Sequence, residues 1–175
     1  MRDRADCEAW IRLLGLVAVK RKWRILSYCL LKNHFHVVLR DLEGALSDGM
    51  RELNGVYARR TNERWGLDAH LFRNRFWSKT LDDDEYLLGA LRYSDRNAVE
   101  AGLCDRACDW PWGSYAAVVG KRDPPPWLAV EDVLALFGRD RRTAIRRYRD
   151  FVEADEPADA PAESDGARMR RISRG

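Results

Sequence analysis

The segment from Ser27 to Arg40, reading SYCLLKNHFHVVLR, constrains the fold more than any other stretch of the chain. Two apolar runs flank Lys32-Asn33, which predicts a hairpin: one strand over 24–31, a turn, and a second strand over 34–40. A strand sends alternate side chains to opposite faces. His34 and His36 therefore share one face, while Phe35, Val37 and Leu39 share the other. Side-by-side imidazoles make half of a divalent-metal site. The same spacing also suits two polar positions on a half-solvated strand, so the pair does not decide the matter alone. The chain has three histidines, and two of them are here.

At 175 residues the chain is long enough for one domain with a buried core plus appendages. No apolar run approaches the ~18 residues of a membrane span, and the acidic N-terminus has no leader-like core, so a cytoplasmic protein is expected. Cys104 and Cys108 are four apart and lack a second close pair to complete a zinc tetrad. With Cys7 and Cys29 they read as reduced thiols.

Apolar positions from Trp10 to Ala18 give a helical face over 6–22, ahead of the hairpin. A second helix is expected over 46–65, with Met50, Leu53, Tyr57 and Thr61 inward. The segment 68–81 reads as a further strand region. Asp82, Asp83 and Asp84 mark the start of a helix running to about Val99, and Gly102 suits its end. Trp110 to Tyr115 forms an aromatic turn, and Pro124-Pro125-Pro126 a stiff break. Three divisions follow: a main domain over 1–120, a helical basic appendage over 121–152, and a tail over 153–175 whose Ala, Asp, Glu and Pro predict disorder.

The net charge of +3 hides strong patterning. Arg51, Arg59, Arg60, Arg64, Arg73, Arg75 and Lys79 are interleaved with Tyr57, Trp65, Phe72, Phe76 and Trp77. Cations that neutralise phosphates beside aromatic faces that stack bases are the means of holding single-stranded nucleic acid. Residue by residue, a solvated helix face over core aromatics explains the same letters. As a patch, Arg59, Arg60, Arg64, Arg73, Arg75 and Lys79 are the candidate DNA contacts.

With these blocks in order, the chain resembles the REP-associated tyrosine transposases, a branch of the single-tyrosine HUH transposases that act on single-stranded DNA. The similarity runs through Tyr28 to His36, Leu53-Asn54-Gly55-Val56-Tyr57, His70-Leu71-Phe72, and Asp84-Glu85-Tyr86-Leu87. It continues through Arg92-Tyr93, Asn97, Ala101-Gly102-Leu103 and Trp110 to Tyr115, covering most of residues 6–120. The resemblance implies an α+β, ferredoxin-like antiparallel sheet with helices on one face. It implies Tyr93 as nucleophile and His34, His36 and Asn97 as ligands of Mg²⁺ or Mn²⁺. Residues four apart share a helix face, so Tyr93 and Asn97 can serve one site. The activity implied is a metal-dependent endonuclease and strand transferase on hairpin DNA of palindromic repeats, through a 5′-phosphotyrosine. No nucleotide cofactor and no membrane are expected, and a homodimer is compatible.

Three features depart from the family pattern. Glu100 stands where an arginine is usual, and Lys32 where a proline is usual. The first strand of the sheet is expected to be missing, because the sequence begins at the first helix. That would follow from a late start site, from decay, or from another segment filling the gap. Each absent backbone pairing costs about 1 kcal/mol or more when buried. Two other functions fit parts of the pattern: an idle module that binds nucleic-acid hairpins, and a replication-initiator-type endonuclease. Tyr86 lies two turns before Tyr93 and is expected to support the core.

Overall fold

The computed structural model describes residues 1–68, 70–72, 76–81 and 83–154. Its elements run α1 (Arg4–Lys20), β1 (Trp23–Leu30), β2 (Phe35–Asp41), α2 (Leu46–Trp65), α3 (Asp84–Glu100), α4 (Tyr115–Val118), α5 (Val130–Ala135) and α6 (Arg141–Glu153). The class is α+β. Among the described residues the sheet has two antiparallel strands.

Local chemistry sets the ends of the helices. The Asp3 carboxylate accepts from the Asp6 N–H to start α1, and Asp83 accepts from the Tyr86 N–H to start α3. Both satisfy backbone donors that a helix start leaves open. Asp84 and Glu85 then sit at the positive end of the α3 dipole. Gly102, at φ +64°, takes the left-handed turn just beyond α3.

The hairpin pairs Cys29 with His36 and Leu30 with Phe35, with an irregularity between Ile25 and Ser27. Every residue of β1 except Arg24 is buried. Burial on both faces explains why β1 reads as a nearly continuous apolar run. The side of β1 away from β2 is also occupied. Leu30 N donates to Trp112 O, Ser114 N to Tyr28 O, and Ala129 N to Ile25 O, at 2.8–2.9 Å. The aromatic turn and the residues after the three prolines thus take up β1 backbone groups.

The two sheet faces carry different helices. Trp10 of α1 packs on Phe35 at 4.7 Å between ring centres, and Phe72 approaches both Phe35 and Tyr57. The opposite face, that of His36, lies against Tyr93 of α3. Close approach requires two glycines. A Cβ on Gly15 would fall 2.3 Å from the Trp127 indole, and one on Gly49 would fall 2.1 Å from Trp23.

The segment after the prolines shares the core of the main domain. Leu128, Val130, Val133, Leu134, Ala144, Tyr148 and Val152 are buried in one cluster with Trp10, Ile25 and Leu91. It forms two helices, α5 and α6.

Of the strand expected over 68–81, residues 69 and 73–75 lie outside the described residues; Phe72 takes part in a single β-bridge, and 76–81 form no strand. Leu71 is buried and Phe72 and Phe76 are partly buried against the core. The apolar spacing there anchors side chains, which does not require a paired ladder. No helix among the described residues is long and apolar enough to cross a membrane.

Candidate active site

The hairpin and α3 bring three of the expected site residues together. The His34 and His36 rings lie 5.0 Å apart with planes at 88°. The Tyr93 ring stands 5.1 Å from His36 at 86°. His34 also meets its neighbour Asn33, with Nδ1 2.9 Å from Oδ1. Asn97 is buried one helical turn beyond Tyr93 on α3. Tyr93 is 8% exposed whereas Tyr86 is 57% exposed, so only the first sits within the sheet–helix layer. Tyr86 instead lies beneath the Lys79 ammonium, 4.4 Å from the ring centre.

Beneath Tyr93, the next turn of α3 holds a buried polar cluster that sequence reasoning missed. Ser27 Oγ donates to Asp95 Oδ1 at 2.7 Å and lies 2.8 Å from Ser94 Oγ. Ser114 Oγ sits 3.4 Å from the same Asp95 oxygen and accepts from the Tyr28 N–H at 2.9 Å. The Tyr148 hydroxyl donates to Asp95 Oδ2. Burial pushes the Asp95 carboxyl up to about 6, against the pull of the Tyr148, Ser27 and Ser114 hydroxyls. The Tyr148 phenol is itself held well above its ordinary value, by burial first and then by Asp95. The only sequence signal was an acid next to Tyr93-Ser94 in the second half of α3, which is the buried half; its partners are remote in sequence.

A second set of contacts fastens α3 to the end of α6. Arg92 Nη2 donates to Ala154 O at 2.6 Å, and Arg96 Nη1 donates to Val152 O and Ala154 O at 3.2 and 3.3 Å. Guanidiniums there satisfy carbonyls left open at a helix C-terminus and oppose its dipole. The Tyr115 hydroxyl donates to Glu153 Oε1 at 2.9 Å.

The expected DNA contacts divide. Arg59 and Arg60 are exposed on α2 and make no ion pair among the described residues. Arg64 is spent within the fold: it reaches Asp3 at 2.6 Å and buried Asp6 at 2.5 Å. Those carboxylates, Asp3 first, raise its pKa. Lys79 is stacked on Tyr86, and Arg73 and Arg75 lie outside the described residues. All four cysteines are free. Burial pushes the Cys29 thiol up to about 12, so it stays protonated at neutral pH. Among the described residues no three His, Cys, Asp or Glu side chains gather as a metal cluster.

Residues 5–93, just over half the chain and ending at Tyr93, match the family described as Transposase IS200 like. The chain belongs to that family of transposases. No curated protein and no solved structure matches it.

Proposed function

We propose that the protein is a metal-dependent endonuclease and strand transferase for single-stranded DNA, acting on hairpins of palindromic repeats through a 5′-phosphotyrosine. The observation that carries this reading is the Tyr93 ring 5.1 Å from His36, itself 5.0 Å from His34. The donor set suits a divalent ion. With metal–nitrogen bonds of about 2.1 Å, two imidazoles at adjacent coordination positions have ring centres roughly 4.6–5 Å apart. His34 and His36 are compatible with that spacing, and Asn97 would add an amide oxygen. Such a mixed set accepts Mg²⁺ and suits Mn²⁺ better, since magnesium prefers oxygen. Bound there, the ion would supply Lewis acidity toward the scissile phosphate.

Tyr93 Oη forms a bond to the scissile phosphorus and loses its proton. The bond from phosphorus to the 3′ oxygen breaks, and that oxygen leaves as a hydroxyl after gaining a proton. One phosphodiester replaces another, so strand joining needs no nucleotide: an incoming 3′-hydroxyl attacks the phosphotyrosine and restores the phenol. The tyrosine's weakness as a nucleophile at neutral pH, with an ordinary pKa of about 10, makes a nearby positive charge useful.

The test is a detergent-resistant adduct between the protein and end-labelled hairpin DNA in Mn²⁺. Tyr93→Phe and His36→Ala should abolish it, and Tyr86→Phe should not. An adduct that persists in Tyr93→Phe rejects the nucleophile. No adduct from the wild type, with hairpin binding intact, favours the idle binding module.

A further inference from the structure

We propose that the outer face of α6 is a second nucleic-acid surface, which grips the double-stranded stem of a hairpin by its phosphates. The proposal deepens the reading above and rests on it. Arg142, Arg146 and Arg149 follow one another at helical spacings of four and three, so they share one face of α6. Arg139 extends the line beyond the helix start. All four are exposed, and their side chains form no ion pair or hydrogen bond among the described residues.

The arginines beside them are used by the fold. Arg141 pairs with Glu131 at 3.1 Å, and Arg147 donates to Phe137 O at 3.1 Å. The inward face of α6, Ala144, Tyr148 and Val152, is fully buried. The acid nearest the stripe, Asp140, caps the helix by accepting from Thr143 N. Asp150 adjoins Arg149 but makes no ion pair with it. Like charges at a spacing of four repel and weaken a helix. The Asp140 carboxylate acts on Arg142 and Arg146 and offsets part of that repulsion, without an ion pair to either among the described residues; a polyanion along the stripe would offset it further.

The chemistry selects a duplex backbone over a single strand. Single-strand surfaces combine cations with aromatic faces on which bases stack. The exposed large aromatics among the described residues are Trp77 and Tyr86, neither of them on α5 or α6. Phe137, Tyr148 and Phe151 turn into the core, packed on one another. Bare arginines can contact phosphates without reading or stacking bases. From Arg142 to Arg149 the helix rises about 10 Å, enough for side chains to meet several phosphates of one strand.

The surface is also fixed relative to Tyr93. The Tyr148–Asp95 hydrogen bond and the hold of Arg92 and Arg96 on the α6 carbonyls tie it to α3, the helix that carries Tyr93. A stem held on α6 would present its single-stranded flank at a set distance from the tyrosine.

The test uses the full chain, with fluorescence anisotropy on a hairpin bearing a single-stranded flank and on the flank alone. Replacing Arg139, Arg142, Arg146 and Arg149 together by Gln should weaken hairpin binding at least tenfold at about 0.1 M salt. The log–log salt slope should fall by roughly 3.6, near 0.9 for each of the four duplex phosphates that are no longer neutralised. Flank binding should stay within about twofold, the melting temperature should hold, and Arg141→Gln should match the wild type. Unchanged hairpin affinity overturns the proposal and leaves the stripe to an acidic protein. Equal weakening of hairpin and flank overturns it too, because the arginines would then act only as diffuse charge. Selective loss of hairpin binding supports the surface even where the wild type forms no tyrosine adduct, a result that counts against the nuclease reading alone.

Discussion

The two sides of α3 are built from opposite materials. One side presents Tyr93 toward His36 of β2, where the two rings meet edge to face, with Asn97 buried one helical turn further on. The other side is locked. Asp95 takes hydrogen bonds from β1, from the turn ahead of α4 and from α6, while Arg92 and Arg96 hold the end of α6. The lesson is a division of labour along one helix. A side chain such as Tyr93, the proposed nucleophile, is held closely when the backbone beneath it is over-determined, and buried polar networks supply that rigidity when fully satisfied.

The contrast breaks most visibly if the two sides trade effects. Tyr93→Phe should cut covalent adduct formation by at least a hundredfold while changing stability by no more than about 1 kcal/mol. Asp95→Ala should do the reverse. Several hydroxyls would lose their acceptor in a closed core, costing roughly 2–4 kcal/mol in urea unfolding, with adduct formation surviving at low temperature. A stable Asp95→Ala protein that forms no adduct would place Asp95 in the chemistry and end the division.

A gentler probe removes a single donor. Tyr148→Phe leaves Asp95 with its serine partners, so the cost should be about 1–2 kcal/mol, measurable as a lowered urea midpoint. Stability unchanged by this substitution would mean that α6 is held by apolar packing alone.

The acid also sets a pH signature. Burial raises the Asp95 carboxyl from 3.8 to about 6, so the folded protein binds the proton more tightly than the unfolded chain. The contribution of this group is greatest below about pH 4 and is lost as pH rises through about 6, by roughly 3 kcal/mol in total. Asp3, Asp109, Asp132 and Asp140 are lowered by hydrogen-bonding partners, first Arg64, Arg106, Arg24 and Thr143 respectively, and act in the opposite sense. The difference in stability between wild type and Asp95→Asn isolates the Asp95 part. Any advantage of the wild type should shrink as pH rises from 4.5 to 7, and a difference flat with pH would overturn the assignment.

The smallest effect concerns α2. Arg64 is neutralised by Asp3 and Asp6, whereas Arg60 is exposed without an ion pair among the described residues. Arg60→Gln should weaken single-strand binding several-fold and lower the salt slope by about 0.7. Arg64→Gln should change binding less than Arg60→Gln, its main effect falling on stability. Equal effects would show that DNA competes successfully with the two aspartates.

Local patterns were legible because their physics is local. Alternation predicted that His34 and His36 share a face, and their rings lie 5.0 Å apart although β2 begins only at Phe35; the aspartates before Tyr86 announced the start of α3 within a residue or two. Over 76–81 the expected strand does not form, because apolar spacing records burial, which Phe76 and Leu81 achieve against the core without a ladder. The basic run on α2 was legible as charge but not as free charge, since the acids that occupy Arg64 come from the start of α1.

The sequence by itself determined the hairpin, the helix starts and the pairing of chemistries that a His-x-His strand and a tyrosine helix imply, because periods of 2 and 3.6 residues translate directly into faces. Only the tertiary structure decided which charges remain free and what holds α3 in place. Asp95 meets Tyr148 across 53 residues of chain and Ser27 across 68. Contacts of that range depend on how whole elements pack, and no short-range pattern carries their partners.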